Sequence, residues 1–181
     1  MPEKLTLRDF DSIFALMAAS FPPDEYRTYE EQRKLFENPH YTVYGLRDGG
    51  TLVAMIVAWE FDDLVFFENF AVDARYRNGG IGGRMLSDIV GQTDKTVCLE
   101  VELPETELAK RRIGFYERHG FVVNPYPYVM PALSFETGPL PLWVMTYGHA
   151  VDETTFSHIK DTLYREVYGC GDTAPALVPL P

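Results

Sequence analysis

The sequence predicts an α/β protein with a mixed sheet, and three observations support that fold class. Segments in which apolar residues recur every three or four positions, as in helices, alternate with β-rich segments. A glycine run at 79–83 joins a continuous apolar run to a helical pattern. Neither internal repeats nor a linker-like stretch divides the sequence, so we expect one domain over residues 1–170 and a mobile C-terminal tail over 171–181.

The N-terminal part of the chain predicts helices first and strands afterwards. Alternation at 5–7 predicts a short strand, and the apolar residues at 10, 13, 14 and 17 have helical spacing. Thr28 and Glu31 have the spacing of a capping box that opens a second helix. The turn Arg47-Asp48-Gly49-Gly50 separates β-rich runs at 41–46 and 51–59 and predicts a hairpin. The run 64–72 is mostly apolar, as a strand buried on both faces would be.

The C-terminal part alternates helices and strands. Apolar residues at 85, 86, 89 and 90 predict a helix after the glycine run, and 97–102 alternates like a strand. A helix is expected to begin within 104–107 and to run to His119, with Gly120 as its left-handed cap. Strands follow at 121–124 and 142–147, on either side of a proline- and tyrosine-rich loop, and Asp152 is expected to cap a last helix.

Composition and charge exclude several classes of protein and of binding partner. The chain has 181 residues, 46% of them hydrophobic, which allows a full core and excludes a disordered protein. With 16 basic and 27 acidic side chains, the formal charge of −11 repels nucleic-acid phosphates and anionic lipids, so neither nucleic acid nor a membrane is an expected partner. No apolar run has the length of a membrane span and the N-terminus has no signal-peptide pattern, so we expect a cytoplasmic protein.

The glycine run is the most informative local feature. Glycines between a strand and a helix expose several backbone N–H groups at the positive end of the helix, where an anion can bind. The run fits neither the dinucleotide-binding fingerprint, because Met85 stands where a small residue is needed, nor the Walker motif, because no Lys-Ser/Thr pair follows. Half of the 16 basic residues lie between positions 75 and 118. A solvated helix face is the favoured reading for any single one of them, and an anionic ligand bound there is the alternative for the group.

Three segments, in the same order along the chain, resemble the GCN5-related N-acetyltransferase (GNAT) family. Arg77-Asn78-Gly79-Gly80-Ile81-Gly82 matches the loop motif (Arg/Gln)-x-x-Gly-x-(Gly/Ala) of that family. The segment 67–73 resembles its fourth strand, and 115–121 is similar to its helix-to-strand segment. The resemblance covers residues 5 to 147 in element order. It departs from the family at Ala109, where asparagine is frequent, and at Arg112, where alanine is frequent.

The resemblance implies a fold and a cosubstrate. The fold would be a mostly antiparallel sheet with one splayed parallel strand pair, flanked by helices, and the helix after Asp152 would be an addition to it. The cosubstrate would be acetyl-CoA, with no metal, and homodimers are common in the family. The residues implied to bind acetyl-CoA are Phe70, Ala71 and Val72 along the pantetheine and Arg77, Asn78, Gly79, Gly80, Ile81, Gly82 and Gly83 around the pyrophosphate. The alternative for the glycines is a tight turn without a ligand.

Acetyl transfer to an amine needs a base and an acid. An alkyl amine has a pKa of about 10.4, so a base or a water relay must remove its proton. We interpret Glu68 as that base, with an arginine-paired strand carboxylate as the alternative, and Glu100 and Glu102 as competing bases or as ligands of a cationic acceptor. By resemblance, Tyr116 would protonate the departing sulfur, and the alternative is a core tyrosine.

The acceptor site of this family is shaped by two segments, which here correspond to residues 21–28 and 124–133. Tyr26 and Tyr128 lie in them, and the nearby acidic residues Asp24 and Glu25 favour an amine-bearing small molecule. Two other readings stay open, a protein or peptide N-acetyltransferase and a non-catalytic sensor that binds coenzyme A. The histidines and cysteines lack the spacing of a metal site, so no metal is expected.

Overall fold

A computed structural model describes residues 1–23, 25–132 and 138–170. The strands are β1 (Glu3–Lys4), β2 (Tyr41–Asp48), β3 (Thr51–Glu60), β4 (Leu64–Val72), β5 (Thr96–Glu102), β6 (Phe121–Val123), β7 (Val129–Met130) and β8 (Leu140–Tyr147). The helices are α1 (Phe10–Ala18), α2 (Tyr29–Lys34), α3 (Ile81–Val90), α4 (Glu107–Arg118) and α5 (Glu153–Thr162), which continues into a π-helical turn (Leu163–Val167). Asp24, Leu133 and the tail expected at 171–181 lie outside the described residues.

The chain falls into two compact units, Met1–Lys95 and Thr96–Pro181. The single domain expected from the sequence stays a prediction. Among the described residues, no helix has the length and apolar character needed to cross a membrane.

The first unit is built on four antiparallel strands in the order β1-β2-β3-β4. Gly49 and Gly50 form the predicted hairpin turn with positive φ angles of 54° and 84°. β3 is the centre of this unit, because every residue from Leu52 to Trp59 is buried. Helix α1 packs against β3 and β4, and α3 packs against β4 with Met85 and Leu86 buried. The hairpin, the buried strand and the helix after the glycine run are therefore confirmed.

The extreme N-terminus differs from the prediction. The alternation at 5–7 does not form a strand; β1 ends at Lys4, and Leu7–Asp9 form a 3₁₀ turn. Thr6 begins that turn, because its hydroxyl accepts the N–H of Arg8 while the Asp9 carboxylate accepts the N–H of Thr6 at 2.8 Å. These local side-chain bonds override a weak apolar alternation. The same capping-box arrangement at Thr28 and Glu31 was predicted and is confirmed.

The second unit is a smaller antiparallel sheet. β8 lies between β5 and β6, and its first two residues also pair with β7. The predicted cap at Asp152 is confirmed, since its side chain accepts the N–H of Thr155. β7 was missed by the sequence analysis, because two residues inside a proline- and tyrosine-rich loop are too short for a strand pattern.

A buried amide links the strands of this unit to the segment before α5. Asn124 is fully buried, and its Nδ2 donates to the carbonyl of Val144 and to the hydroxyl of Thr146, each at 3.1 Å. Its Oδ1 accepts the backbone N–H of Val151 at 2.8 Å. Such a network stabilises the fold only while all its members are present, because each buried group left unpaired costs about 1–3 kcal/mol.

We expect Asn124→Ala to lower the free energy of unfolding by about 2–4 kcal/mol, because it leaves the Val151 N–H and the Thr146 hydroxyl without this partner. Urea unfolding followed by circular dichroism measures the change. Gln92→Ala is the control, since it removes an exposed side-chain bond to the carbonyl of Asp88 and should change the stability by less than about 0.5 kcal/mol. Equal effects of the two substitutions would contradict the role given to Asn124.

Candidate active site

A tight turn connects the end of β4 to the glycine run. The carboxylate of Asp73 accepts the backbone N–H of Arg75 at 2.9 Å and binds the Arg75 guanidinium at 2.8 and 3.1 Å. These bonds to Arg75 lower the pKa of Asp73 to about 2. The carboxylate is therefore ionised at neutral pH, and the turn is fixed where the strand ends.

The run Arg77–Gly83 forms a loop, called here the glycine loop, that leads into α3. Asn78 and Gly80 have left-handed backbone, with φ angles of 65° and 72°. Among the described residues, no hydrogen-bond acceptor is found for the backbone N–H groups from Arg77 to Gly83. These donors gather at the N-terminal, positive end of α3, where they can bind an anion.

Two arginine side chains brace the glycine loop through backbone carbonyls. Nε of Arg77 donates to the carbonyl of Val72, the last residue of β4, at 3.0 Å. Nη1 of Arg84, in the first turn of α3, donates to the carbonyl of Gly79 at 3.2 Å. The loop is thus tied to the strand before it and to the helix after it. Phe70, Ala71 and Val72 themselves pair with Ile56, Met55 and Ala54 of β3.

Glu68 is the extra residue of a β-bulge in β4. Val57 of β3 pairs with Asn69, but the next residue, Ala58, pairs with Phe67. A bulge of this kind re-aims the side chain of the extra residue.

The carboxylate of Glu68 lies in a buried ion pair. Its Oε1 accepts from Nη1 of Arg27 at 2.5 Å, its Oε2 accepts from Nε1 of Trp59 at 2.8 Å, and its side chain is 7% exposed. The structure thus has the arginine pairing that the sequence left open as the alternative to a base. Arg27 was not singled out by the sequence analysis, because a lone arginine in an irregular segment carries no periodic signal.

Further polar groups surround this pair. Burial, followed by the charge of Glu68, raises the pKa of Tyr41, and the Tyr41 hydroxyl accepts from Nε2 of Gln32 at 2.7 Å. Gln32 is fully buried, and no partner for its Oε1 is found among the described residues. Tyr26 packs edge-on against Phe14 with ring centroids 5.7 Å apart. The segment before α2 and the bulged strand therefore form one cluster within the first unit.

Glu100 and Glu102 share one face of β5 but have different partners. Glu102 forms an ion pair with Arg112 of α4 at 3.0 Å, and both side chains are partly exposed. Glu100 instead accepts hydrogen bonds from two tyrosines, Tyr128 on Oε1 and Tyr168 on Oε2, the latter at 2.7 Å. Tyr128 was predicted to line the acceptor site; Tyr168 was missed, because nothing in the sequence links it to a position 68 residues earlier.

Tyr116 is buried in α4 against Phe115 and Phe121, with ring centroids 5.3 and 5.8 Å away. Burial raises its pKa to about 12, and the nearby Arg112 guanidinium partly opposes that shift. No hydrogen-bond partner for the hydroxyl is found among the described residues. The phenol is therefore protonated at neutral pH and can act as a proton or hydrogen-bond donor.

Cys98 lies on the same face of β5 as Glu100 but is fully buried, and burial raises the pKa of its thiol well above the usual value. A thiol of this kind is a poor nucleophile. In the described part of the chain, no group of three or more His, Cys, Asp or Glu side chains has an arrangement that could hold a metal ion.

Comparison with known proteins identifies the family. Residues 10–121 match the model of the acetyltransferase (GNAT) family. The structure is similar to that of a GNAT-family chain from Bacteroides thetaiotaomicron, with a TM-score of 0.86, 32% sequence identity, and coverage of 93% of this chain and 98% of the other. A search of curated proteins gives no match.

More distant structures share the fold. A ribosomal-protein alanine N-acetyltransferase from Escherichia coli has a TM-score of 0.62 and 18% identity, over 84% of this chain and 95% of the other. A variant of the spermidine N-acetyltransferase from Vibrio cholerae has a TM-score of 0.61 and 14% identity, over 81% of this chain and 94% of the other. The family model covers more than half of the chain, and the match from Bacteroides spans nearly all of it. These matches confirm the predicted fold class, and the chain belongs to the GNAT family of acetyltransferases.

Proposed function

We propose that this protein transfers the acetyl group of acetyl-CoA to the primary amine of a small molecule. The observation that carries the proposal is the row of backbone N–H groups from Arg77 to Gly83, which have no acceptor among the described residues. A pyrophosphate offers several charged acceptor oxygens within the span of such a loop. The pantetheine arm of the cosubstrate would continue along the backbone of Phe70, Ala71 and Val72.

The transfer itself is a direct displacement. The amine nitrogen attacks the thioester carbonyl, a C–N bond forms, the C–S bond breaks, and the proton lost by the amine goes to a base. Tyr116 donates its proton or a hydrogen bond to the departing sulfur, since its phenol is protonated at neutral pH. The net proton balance is closed through solvent, because coenzyme A leaves as a thiol.

Glu68 is the proposed base, acting through a water relay. Arg27 and Trp59 each donate to one oxygen of its carboxylate, so both oxygens are held in place. An alkyl ammonium has a pKa of about 10.4, far above that of carboxylic acids in general, so we propose a water relay in place of direct proton removal. In such a relay, a chain of water molecules passes the proton to solvent. Glu68 then only has to place a negative charge beside that chain.

The class of acceptor is inferred from the charge of the chain. A formal charge of −11, with Glu100 and Glu102 on one face of β5, attracts a cationic amine and repels an acidic acceptor. Thiol release only with peptides would favour the protein-acetylating alternative, and tight acetyl-CoA binding without thiol release would favour a sensor. Turnover with acidic acceptors alone would contradict the charge argument.

We expect Gly80→Ala to raise the dissociation constant of acetyl-CoA about tenfold, because a side chain at φ 72° is strained and its Cβ would lie 3.2 Å from Nη1 of Arg84. Isothermal titration calorimetry measures the change. Gly50→Ala is the matched control, since it carries the same kind of strain at φ 84° in the hairpin, with open space around the added atom. Its dissociation constant should stay within about twofold of wild type; an equal loss in both variants would contradict the role of the glycine loop.

We expect Tyr116→Phe and Glu68→Gln each to lower kcat about 100-fold, while the dissociation constant of acetyl-CoA changes less than about twofold. Thiol release with an amine panel measures kcat. Tyr147→Phe, at a tyrosine that is 46% exposed, is the control for loss of a phenol. Arg27→Met is the control for loss of the buried ion pair: if it lowers kcat as much as Glu68→Gln, the carboxylate is structural and the proposed base is wrong.

A further inference from the structure

A cavity of about 420 Å³, called here the α3 cavity, lies within the first unit between α3 and the β2–β3 hairpin. Its volume is in the range of about 300–1,000 Å³ that is usual for small-molecule sites. Leu46 and Val53 of the two strands and Ile81 of α3 form an apolar wall, and four charged side chains complete much of the lining. Of the glycine loop, only Ile81 lines the α3 cavity, which therefore lies beside the loop rather than in it.

Two of the four charged side chains are engaged by neighbours within the first unit. The guanidinium of Arg47 forms ion pairs with the carboxylates of Glu3 at 2.9 Å and Asp9 at 2.6 Å. The carboxylate of Asp48 is hydrogen-bonded to the hydroxyl of Tyr76, and this bond raises the pKa of that phenol. These contacts account for both charges without a ligand.

The other two charges, Arg84 and Asp88, are not balanced in this way. Among the described residues, neither forms an ion pair, not even with the other, although they are four positions apart on α3. Arg84 donates to the backbone carbonyl of Gly79 at 3.2 Å, which satisfies one N–H group but leaves the positive charge without a counter-charge. The α3 cavity is thus lined by one cation and one anion that the described part of the chain does not neutralise.

Both charges are also placed against the dipole of α3. Arg84 lies in the first turn of this helix and Asp88 in its last turn. Anions are stabilising at the N-terminal end of a helix and cations at the C-terminal end, each by about 0.3–1 kcal/mol, so both residues have the unfavourable sign. A basic residue on the N-terminal side of an acidic one is also the weaker order for a pair on a helix. Helix stability therefore does not account for these charges, whereas a ligand that carries both opposite charges would.

We propose that the α3 cavity binds a free α-amino acid with an apolar side chain, its carboxylate on Arg84 and its ammonium group on Asp88. A guanidinium has several N–H donors in a planar fork, so Arg84 can hold a carboxylate while it keeps its bond to the loop carbonyl. The apolar side chain of the ligand packs against Leu46, Val53 and Ile81. This site is separate from the proposed acetyl transfer and needs no cosubstrate.

The test is isothermal titration calorimetry of three probes in the absence of acetyl-CoA. L-leucine carries both charges, 3-methylbutylamine lacks the carboxylate, and 4-methylpentanoate lacks the ammonium group. We expect wild type to bind L-leucine at least about tenfold more tightly than either of the other probes. Arg84→Gln and Asp88→Asn should each raise the dissociation constant of L-leucine about tenfold or more.

Two matched controls remove the same charges outside the α3 cavity. Asp94→Asn and Arg33→Gln change exposed side chains that do not line it, and each should keep the dissociation constant of L-leucine within about twofold of wild type. Thermal unfolding followed by circular dichroism shows that each variant is folded. If Arg84→Gln does not fold, Asp88→Asn decides the question, because it keeps the contact between Arg84 and Gly79.

Three results would overturn the inference. They are a folded wild-type protein that does not bind L-leucine, equal affinity for the three probes, and binding of L-leucine that survives both Arg84→Gln and Asp88→Asn. In the last case the amino acid binds elsewhere, for example as an acceptor at the proposed active site. Because no acetyl-CoA is present, none of these results bears on the acetyl transfer, which the thiol-release assay tests on its own.

Discussion

The backbone donors of the glycine loop impose the constraint on which the rest of the first unit depends. A loop that leaves the N–H groups from Arg77 to Gly83 without acceptors among the described residues is stable only if its surroundings hold it open. Those surroundings are specific: Asp73 fixes the turn before the loop, Arg77 ties it to β4, and Arg84 ties it to α3. Because two of these contacts are made by arginine side chains, the loop also carries positive charge in the absence of a ligand.

Two carboxylates illustrate how their surroundings separate chemical roles. Glu68 lies beside Arg27, so its charge is largely balanced and its side chain is nearly sealed from solvent. Glu100 instead accepts hydrogen bonds from the phenols of Tyr128 and Tyr168. Two carboxylates of one protein can thus serve different steps when their partners differ. The net charge of −11 hides a different division, because it sums a basic stretch at 75–118 and an acidic remainder.

The sequence predicted those features that depend on local chemistry. The hairpin at Gly49 and Gly50, the capping box at Thr28 and the glycine loop each follow from residues a few positions apart, and the structure contains all of them. The partners of Glu68 and Glu100 were not predictable in this way. Arg27 is 41 residues from Glu68, and Tyr168 is 68 residues from Glu100, so each contact is created by the fold rather than by a local pattern. At the N-terminus the local apolar pattern was misleading. The side chains of Thr6 and Asp9 cap a 3₁₀ turn there, where a short apolar alternation had predicted a strand.

We propose that the backbone N–H groups of the glycine loop bind the phosphates of the cosubstrate. A titration of coenzyme A into protein labelled with ¹⁵N-glycine tests it most directly, because the chain has 14 glycines and the loop holds Gly79, Gly80, Gly82 and Gly83. We predict that the amide resonances of these four glycines shift on binding, while those of Gly49 and Gly50 in the hairpin turn stay unchanged. Saturable binding of coenzyme A that leaves the loop glycines unshifted would contradict the account.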